Sequence, residues 1–121
     1  MDQGPQKKKR AAYRLGFSAE YKAALFLLLK GYHIAAMRYR TRGGEIDIIA
    51  RKGDLVVFVE VKARRSLQAG IDAVSFEAQR RIHAASAHWL SRQPDFARIS
   101  ARYDILVISP FRLPKHIKNA F

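Results

Sequence analysis

One stretch constrains the fold more than any other part of the chain: residues Gly44 to Arg65, GEIDIIARKGDLVVFVEVKARR. It reads as two apolar strands joined by a tight reversal, and the second strand is too continuous and too rich in valine to be an exposed edge. Charges nevertheless interrupt both strands: Asp47 in the first, and Glu60 and Lys62 in the second. Burying three charges in so apolar a hairpin costs free energy unless they bind something together.

Hairpin geometry predicts that two of these charges are neighbours. If the chain reverses near Lys52 to Asp54, a loop of two, three or four residues places Asp47 opposite residue 58, 59 or 60, respectively. Residues two apart in a strand point to the same face, so Glu60 and Lys62 emerge side by side. We therefore expect the carboxylates of Asp47 and Glu60 to face each other, with Glu45 on the face of Asp47.

Carboxylates that face each other repel, and in a partly buried place the usual remedies are a raised pKa or a bound cation. Oxygen ligands with few nitrogens favour Mg²⁺ or Mn²⁺ over zinc. The predicted ligands are Asp47, Glu60 and the carbonyl oxygen of Val61, which lies between the charged pair. The alternative for Asp47, Glu60 and Lys62 is an interstrand salt bridge at the margin of the sheet.

Glu20 is a further candidate for this site. Its neighbours at helical spacing are Ala23, Ala24 and Leu27, which places the carboxylate at the margin of the face that packs on the sheet. An acid that points inward needs a partner. The alternative is that a glutamate in the first turn, after a cap at Ser18, stabilises the helix dipole and has no other role.

The charge balance predicts a polyanionic partner. The 121 residues include 23 Lys and Arg against 10 Asp and Glu, which gives a net charge of +13 and a pI of about 10.6. Residues 1–14 carry +4 of this charge and residues 15–121 carry +9. We expect a disordered basic tail at 1–14, a single domain at 15–121, and nucleic acid as the partner. The alternative is a protein with a merely high isoelectric point.

Several classes of protein are excluded. Cysteine is absent from the sequence, so disulfide frameworks and thiolate metal sites are ruled out, and a reducing cytoplasm fits. No apolar run approaches the ~20 residues of a membrane span, and the N-terminus lacks the apolar segment of a secretory signal. We expect a cytoplasmic protein with no membrane partner. The four histidines are scattered and do not form the helical pair typical of a zinc site.

Hydrophobic periodicity predicts an α/β fold of the α+β type, with a mixed central sheet flanked by helices. The expected order is helix, three strands, helix, strand, with these segments: a helix from Ser18 to Lys30 stopped by Gly31, an extended segment 32–40, a turn at Thr41 to Gly43, the hairpin, a polar loop at Ser66 to Gly70, a helix from Phe76 to Ser91, a strand from Tyr103 to Ser109, and a short tail after Pro110 and Pro114. We expect Asp104 to form a buried salt bridge with an arginine such as Arg102, and Trp89 to pack in the core.

Basic residues flank the predicted site and are candidates for phosphate contacts: Arg38, Arg40, Arg42, Arg64, Arg65, Arg80 and Arg81. Each phosphate contact of this kind weakens binding as salt rises. The sequence has no helix-turn-helix, aromatic RNP or zinc-finger pattern, so selection by nucleic-acid structure is favoured over the reading of bases. The alternative is a solvated cationic surface.

These residues resemble a known group of proteins. An acid followed about a dozen residues later by Glu-x-Lys on an apolar strand, here GEID and VEVK, resembles the PD-(D/E)XK nuclease superfamily. The likeness extends to the YraN-like proteins, a bacterial family within that superfamily, over nearly the whole chain from Tyr13. It rests on Gly16 to Glu20, Gly31-Tyr32, GEIDIIA, VFVEVKARRS, Arg102-Tyr103-Asp104 and HIKNAF.

The resemblance implies a restriction-endonuclease-like core, similar to that of archaeal Holliday-junction resolvases, and DNA rather than RNA as the favoured substrate. It implies catalytic roles for four residues. Glu20 would lie near the metal, Asp47 and Glu60 would bind Mg²⁺ or Mn²⁺, and Lys62 would help to activate the attacking water or stabilise the transition state.

Two functions remain open from the sequence. The first is a metal-dependent nuclease that acts on structured or damaged DNA, and the second is a non-catalytic module that binds DNA or RNA and retains the nuclease fold. The complete set of two acids and a lysine favours the first, because carboxylates beside an anionic ligand oppose binding unless a cation is present. Symmetric cutting of a junction would require a homodimer, which the residues do not establish.

Overall fold

The structure, a computed structural model, describes residues 18–121, so the predicted basic tail at 1–14 lies outside the described residues. The helices are α1 (residues 18–29 of it are described), α2 (Leu67–Asp72) and α3 (Phe76–Ser91), and a 3₁₀ turn spans Phe96–Arg98. The strands are β1 (His33–Arg40), β2 (Glu45–Lys52), β3 (Leu55–Ala63), β4 (Ser100–Ile108) and β5 (Lys115–Ile117). The predicted α+β class is confirmed.

The five strands form one mixed sheet in the order β1-β2-β3-β4-β5. Strands β3 and β4 are parallel, and the other neighbouring pairs are antiparallel. The valine-rich strand β3 is therefore central, as predicted. This arrangement is consistent with a restriction-endonuclease-like fold.

Helices cover both faces of the sheet. Helix α1 buries a row of small and aliphatic side chains against one face: Ala19, Ala23, Ala24 and Leu27, with Ile48, Val57, Val59 and Leu106 opposite. Helix α3 buries Ile82 and Ala85 on the other face against Ile49, Val56 and Phe58. Trp89 meets the ring of Phe58 edge-on with centroids 6.0 Å apart, which confirms its predicted role in the core.

Helix α1 ends as the sequence predicts, at a left-handed glycine. Gly31 has a φ of 94°, its N–H donates to the carbonyl of Leu28, and the N–H of Tyr32 donates to the carbonyl of Leu27, both at 3.0 Å. This is the Schellman motif. Residue 18 is already helical, so Ser18 is not the cap before the helix that the sequence pattern suggested.

The predicted polar loop at Ser66 to Gly70 is wrong, because α2 begins there. The hydroxyl of Ser66 accepts the N–H of Ala69 at 3.1 Å and caps the helix. A Cβ at Gly70 would come within 2.4 Å of a methyl group of Val107. The glycine that signalled a loop is in fact the residue that lets α2 pack directly on β4.

The predicted C-terminal tail is also wrong, because Lys115–Ile117 forms β5 at the edge of the sheet, antiparallel to β4. Strand β4 itself starts at Ser100, earlier than the expected Tyr103, and continues the parallel pairing with β3 from Leu55 onward. The two prolines interrupt only the connection between β4 and β5. Across residues 18–121, the structure contains no helix with the length and apolar content to cross a membrane.

Candidate active site

The β2–β3 hairpin is closed at its turn and open at its far end. Its two-residue loop, Gly53 and Asp54, uses a left-handed glycine with a φ of 61°. Pairing runs from Lys52 with Leu55 to Ile48 with Val59. The next position in this register sets Asp47 against Glu60. With a two-residue loop, residue 58 was the expected partner of Asp47. The loop is centred one residue later, at Gly53 and Asp54, so the partner of Asp47 is Glu60.

The side chain of Asp47 takes the place of a backbone acceptor in the open part of the ladder. Its Oδ2 accepts the N–H of Val61 at 2.8 Å, so a buried amide of the central strand is satisfied by a carboxylate rather than by β2. The N–H and C=O of one residue in an extended strand point to the same side. The carbonyl of Val61 therefore faces Asp47, as the predicted ligand set requires.

In both β1 and β2, the alternation of side chains between the two faces of the sheet changes phase near Asp47. Ile46 and Ile48 are two residues apart and both are buried, yet they belong to clusters on opposite faces of the sheet. In β1, the partly buried Met37 and Tyr39 are likewise two residues apart and pack against these two opposite clusters. Arg38 lies between the last two, opposite Asp47 in the register, and has a φ of 52°. The regular alternation of side chains is thus broken at the candidate site.

Glu60 lies in an environment that opposes its negative charge. Burial, a hydrogen bond with Asp47 and the charge of Asp47 together raise the pKa of Glu60 to about 9, and the ammonium of Lys62 lowers it only in part. Lys62 Nζ lies 3.8 Å from Glu60 Oε1. At neutral pH Glu60 therefore holds a proton in contact with Asp47, at a position where a cation would serve both acids.

The donor set fits a hard divalent cation. Asp47, Glu60 and the carbonyl of Val61 offer only oxygen atoms, which is the chemistry that Mg²⁺ and Mn²⁺ prefer. Within residues 18–121, no group of three or more His, Cys, Asp or Glu side chains is arranged to hold a metal. The two carboxylates would thus be completed by a backbone oxygen, water or an oxygen of the substrate, as is usual for Mg²⁺.

Glu20 faces the same region but is engaged by an arginine. Its Oε2 accepts a hydrogen bond from Arg38 Nε at 2.6 Å, and the two side chains are 14% and 26% exposed. Burial and the charges of Asp47 and Glu45 raise the pKa of Glu20, against the influence of Arg38. These acids share a cavity of about 180 Å³, which is lined by Glu20, Arg38, Arg40, Glu45, Ile46 and Asp47.

The predicted phosphate-binding arginines divide into two groups. Arg38 is the half-buried one, and the other six are exposed: Arg40, Arg42, Arg64, Arg65, Arg80 and Arg81. Arg40 pairs with Glu45 at 3.3 Å, and Arg80 with Glu77 on α3. Because β2 is antiparallel to both neighbours, the ends of β1 and β3 that carry Arg42, Arg64 and Arg65 lie at the end of the sheet that holds Asp47. Gly44 approaches the carbonyl of Arg81 so closely that a Cβ would lie 2.0 Å from it, which brings α3 to the same loop.

Comparison with known proteins places this chain in a protein family. The sequence model of a family described as "Uncharacterised protein family UPF0102" matches residues 19–108, a range that includes Glu20, Asp47, Glu60 and Lys62. The chain belongs to the UPF0102 family. The likeness to the YraN-like proteins is confirmed at this level.

Relatives resemble the chain over nearly its whole length. UPF0102 proteins of Rhizobium etli strain CIAT 652 and Rhizobium meliloti strain 1021 are each 62% identical, over 113 and 117 residues. The alignments cover 93% and 97% of this chain and 93% and 96% of the relatives. A UPF0102 protein of Mesorhizobium japonicum is 54% identical over 121 residues, which is 100% of this chain and 97% of the relative.

A second buried acid, Asp104, lies on β4 within the region that the UPF0102 model matches. Arg102 donates to both of its oxygens at 2.9 and 2.8 Å, His116 Nε2 lies 2.6 Å from Oδ2, and the N–H of Asn119 donates to Oδ1 at 2.9 Å. Burial alone would raise the pKa of Asp104, but these hydrogen bonds lower it below its usual range. The predicted salt bridge with Arg102 is confirmed. His116 was missed because its strand was interpreted as a tail.

Proposed function

We propose that this UPF0102 protein is a metal-dependent nuclease of the PD-(D/E)XK type, which hydrolyses phosphodiester bonds in structured or damaged DNA. One observation carries the proposal: the register of the β2–β3 hairpin sets the acids Asp47 and Glu60 against each other, and burial together with Asp47 raises the pKa of Glu60 to about 9. Two acids that face each other add no stability to the fold by themselves. They do provide a site where a cation can replace the shared proton.

The chain supplies three elements of the reaction. Asp47 and Glu60 would hold the metal, with the carbonyl of Val61 beside them, and Glu60 would give up its proton when the metal binds. When bound, Mg²⁺ or Mn²⁺ supplies Lewis acidity and makes a coordinated water more acidic. Lys62 places an ammonium 3.8 Å from Glu60, where it stabilises negative charge that develops on the phosphate.

The exposed arginines around the candidate site support nucleic acid as the class of substrate. Arg42, Arg64, Arg65 and Arg81 lie around the end of the sheet that holds the acids, so a phosphate backbone can run across this end. The sequence has no helix-turn-helix or zinc-finger pattern, and within the described residues no group of three or more His, Cys, Asp or Glu side chains is arranged to hold a zinc ion. Selection by the shape of the DNA, such as a junction, a flap or an end, therefore fits the surface better than selection by sequence.

Metal binding is the first test. Isothermal titration of Mg²⁺ and Mn²⁺ into the wild type should give one site per chain, and Asp47→Asn should abolish it. The asparagine retains an acceptor for the N–H of Val61, so the variant should remain folded, and a circular dichroism spectrum checks this. Glu77→Gln is the matched control, because Glu77 is an exposed acid paired with Arg80 on α3. An absence of heat with the wild type would overturn the proposal.

Cleavage is the second test. Labelled duplex, single-stranded, nicked, flap and four-way-junction DNA should be incubated with Mn²⁺ and the wild type or Lys62→Ala. Loss of one contact that stabilises the transition state typically slows a reaction by about 10²- to 10³-fold, and the variant should lose activity on that scale. Equal activity of the two proteins would indicate a contaminant. Tight binding of DNA without metal binding or cleavage would support the alternative, a non-catalytic nucleic-acid-binding module.

A further inference from the structure

Arg38 has a backbone conformation that its residue type disfavours. It lies inside β1, but its φ of 52° is in the left-handed region, which is unfavourable for a residue with a side chain because Cβ crowds the following carbonyl oxygen. Such strain persists where the surroundings hold it, and it concentrates at functional sites. Here the strain coincides with the point at which the alternation of side chains in β1 and β2 changes phase, opposite Asp47. It directs the side chain of Arg38 into the cavity that Asp47 and Glu20 also line.

The contact between Arg38 and Glu20 is short and partly buried. The 2.6 Å distance from Nε to Oε2, together with the low exposure of both groups, describes a desolvated charge pair. Removing either partner without replacement would break a charge-assisted hydrogen bond in a half-buried place, which is costly. A guanidinium binds carboxylate and phosphate oxygens with the same geometry. Glu20 therefore occupies a place that a phosphate oxygen of the substrate fits.

The contact between Arg38 and Glu20 also matters for the candidate metal site formed by Asp47 and Glu60. Glu20 is bound to Arg38, and the described residues include no group of three or more His, Cys, Asp or Glu side chains arranged to hold a metal. Glu20 and Asp47 line one cavity, so a carboxylate that leaves Arg38 remains close to Asp47. Glu20 is thus a further oxygen donor near Asp47, and in the structure it is engaged by Arg38.

We propose that Arg38 exchanges the carboxylate of Glu20 for a phosphate group of the nucleic acid, and that the released Glu20 then becomes a further ligand beside Asp47. This inference rests on the proposed function. It makes phosphate binding and metal binding support each other, because each favours the state in which Arg38 and Glu20 are apart. By linkage, the same factor must apply in both directions, and couplings of this kind commonly amount to about tenfold.

The exchange at Arg38 is tested without metal. Fluorescence anisotropy of a labelled four-way junction, in EDTA and at low salt, gives the affinity of each variant. Glu20→Gln should bind about three- to tenfold more tightly than the wild type, since Arg38 no longer has to leave a carboxylate. Glu45→Gln is the matched control: it removes one acid from the same cavity, but its contact with Arg40 is longer, at 3.3 Å, and more than half exposed. Its affinity should change less than twofold.

A double variant assigns the gain to Arg38. In the Arg38→Gln background, Glu20→Gln should no longer tighten binding, because the partner that it frees is gone. Equal gains from Glu20→Gln and Glu45→Gln would mean a general effect of charge and would overturn the exchange. A gain that persists in the absence of Arg38 would also overturn it. Thermal unfolding of each variant confirms that the comparison is made between folded proteins.

The role of the released Glu20 is tested by metal titration without nucleic acid. Arg38→Gln frees Glu20, so it should bind Mn²⁺ about tenfold more tightly than the wild type, and Arg38→Gln combined with Glu20→Gln should return to the wild-type affinity or below. An unchanged affinity of Arg38→Gln would overturn this role while the proposed metal site stands. If no variant binds Mn²⁺, the metal site and this role both fail, and the metal-free titration still decides the exchange at Arg38.

Discussion

Two buried acid sites on neighbouring strands of the sheet differ in what surrounds them. Asp104 on β4 has no exposed surface, and an arginine, a histidine and a backbone N–H satisfy both of its oxygens. Glu60 on β3 is 13% exposed and faces another acid. Both are buried, but the pKa of Asp104 is lowered and that of Glu60 is raised to about 9. The environment, rather than burial itself, decides whether the pKa of a buried acid is lowered, as at the closed site around Asp104, or raised, as at the open site formed by Asp47 and Glu60.

The largest effect is expected at the closed site. Asp104→Asn removes the charge that Arg102 and His116 face, which should lower the free energy of unfolding by about 3 kcal/mol, as for other broken buried pairs. Urea unfolding at pH 7, followed by circular dichroism, measures it. Asp54→Asn is the control, because that acid is 64% exposed and lies 3.7 Å from Arg51, and it should unfold like the wild type. A loss below about 1 kcal/mol in Asp104→Asn would contradict the description of a closed site.

The difference in unfolding free energy between the wild type and Asp104→Asn should depend on pH. Because the pKa of Asp104 is lowered on folding, its contribution is present above the unfolded value near 3.8 and is lost as pH falls through the folded value. The difference in stability between the wild type and Asp104→Asn should therefore shrink in strong acid. A difference that grew on acidification would show that the carboxylate is not the stabilising form.

The contribution of Glu60 to stability should change with pH in the opposite direction. Because the pKa of Glu60 is raised from 4.5 to about 9, its contribution is present below pH 4.5 and is lost progressively as pH rises toward 9. Glu60→Gln keeps a neutral side chain at every pH. Without metal it should match the wild type near pH 4.5 and exceed it by about 2 kcal/mol at pH 8, which is less than the full linkage value because water and side-chain movement relieve part of the penalty.

Unfolding by urea from pH 4.5 to pH 8.5 tests this prediction. Glu77→Gln again serves as the exposed control and should follow the wild type at each pH. If Glu60→Gln were less stable than the wild type at pH 8, Glu60 would be a stabilising carboxylate like Asp104, and the contrast between the two sites would disappear.

Metal should stabilise the protein through the open site alone. Mg²⁺ at ten times its dissociation constant stabilises a folded protein by about 1.4 kcal/mol through linkage. This gain should appear in the wild type at pH 8, vanish in Asp47→Asn and persist in Asp54→Asn. Thermal unfolding with and without Mg²⁺ measures it. An equal gain in Asp47→Asn would place the bound cation elsewhere on the chain.

The open site was the more predictable of the two. Its residues lie in one continuous stretch, so hairpin geometry predicts that Asp47 and Glu60 are neighbours and that Lys62 lies beside Glu60, although it leaves the loop length and the register open. The binding of a metal by these acids stays a prediction, as do the catalytic role of Lys62 and the phosphate contacts of the arginines. The closed site uses His116 and Asn119, which are more than ten residues from Asp104 and reach it through β5. Only the contact with Arg102, two residues away, could be inferred.

The features that the sequence did not reveal depend on contacts between distant segments. Gly70 is typical of a loop, and only the approach of Val107 explains its place in a helix. Strand β5 has three residues, too few for a pattern, and its pairing with β4 decides its conformation. The left-handed conformation of Arg38 has no sequence signal either, since arginine does not favour it.

The smallest expected change in stability is that of Lys62→Met, and it contrasts with the loss expected when Arg102, the basic partner of Asp104, is replaced. Lys62→Met removes an ammonium that lies 3.8 Å from Glu60 Oε1, but Glu60 holds a proton at neutral pH, so little ion-pair energy is lost. The free energy of unfolding at pH 7 without metal should change by less than about 0.5 kcal/mol. Arg102→Met, the corresponding change at the closed site, breaks two hydrogen bonds to Asp104 and should cost about 3 kcal/mol. Equal losses in urea unfolding would make Lys62 a structural salt-bridge partner. A stable Lys62→Met protein that no longer cleaves DNA would show that this lysine is retained for chemistry.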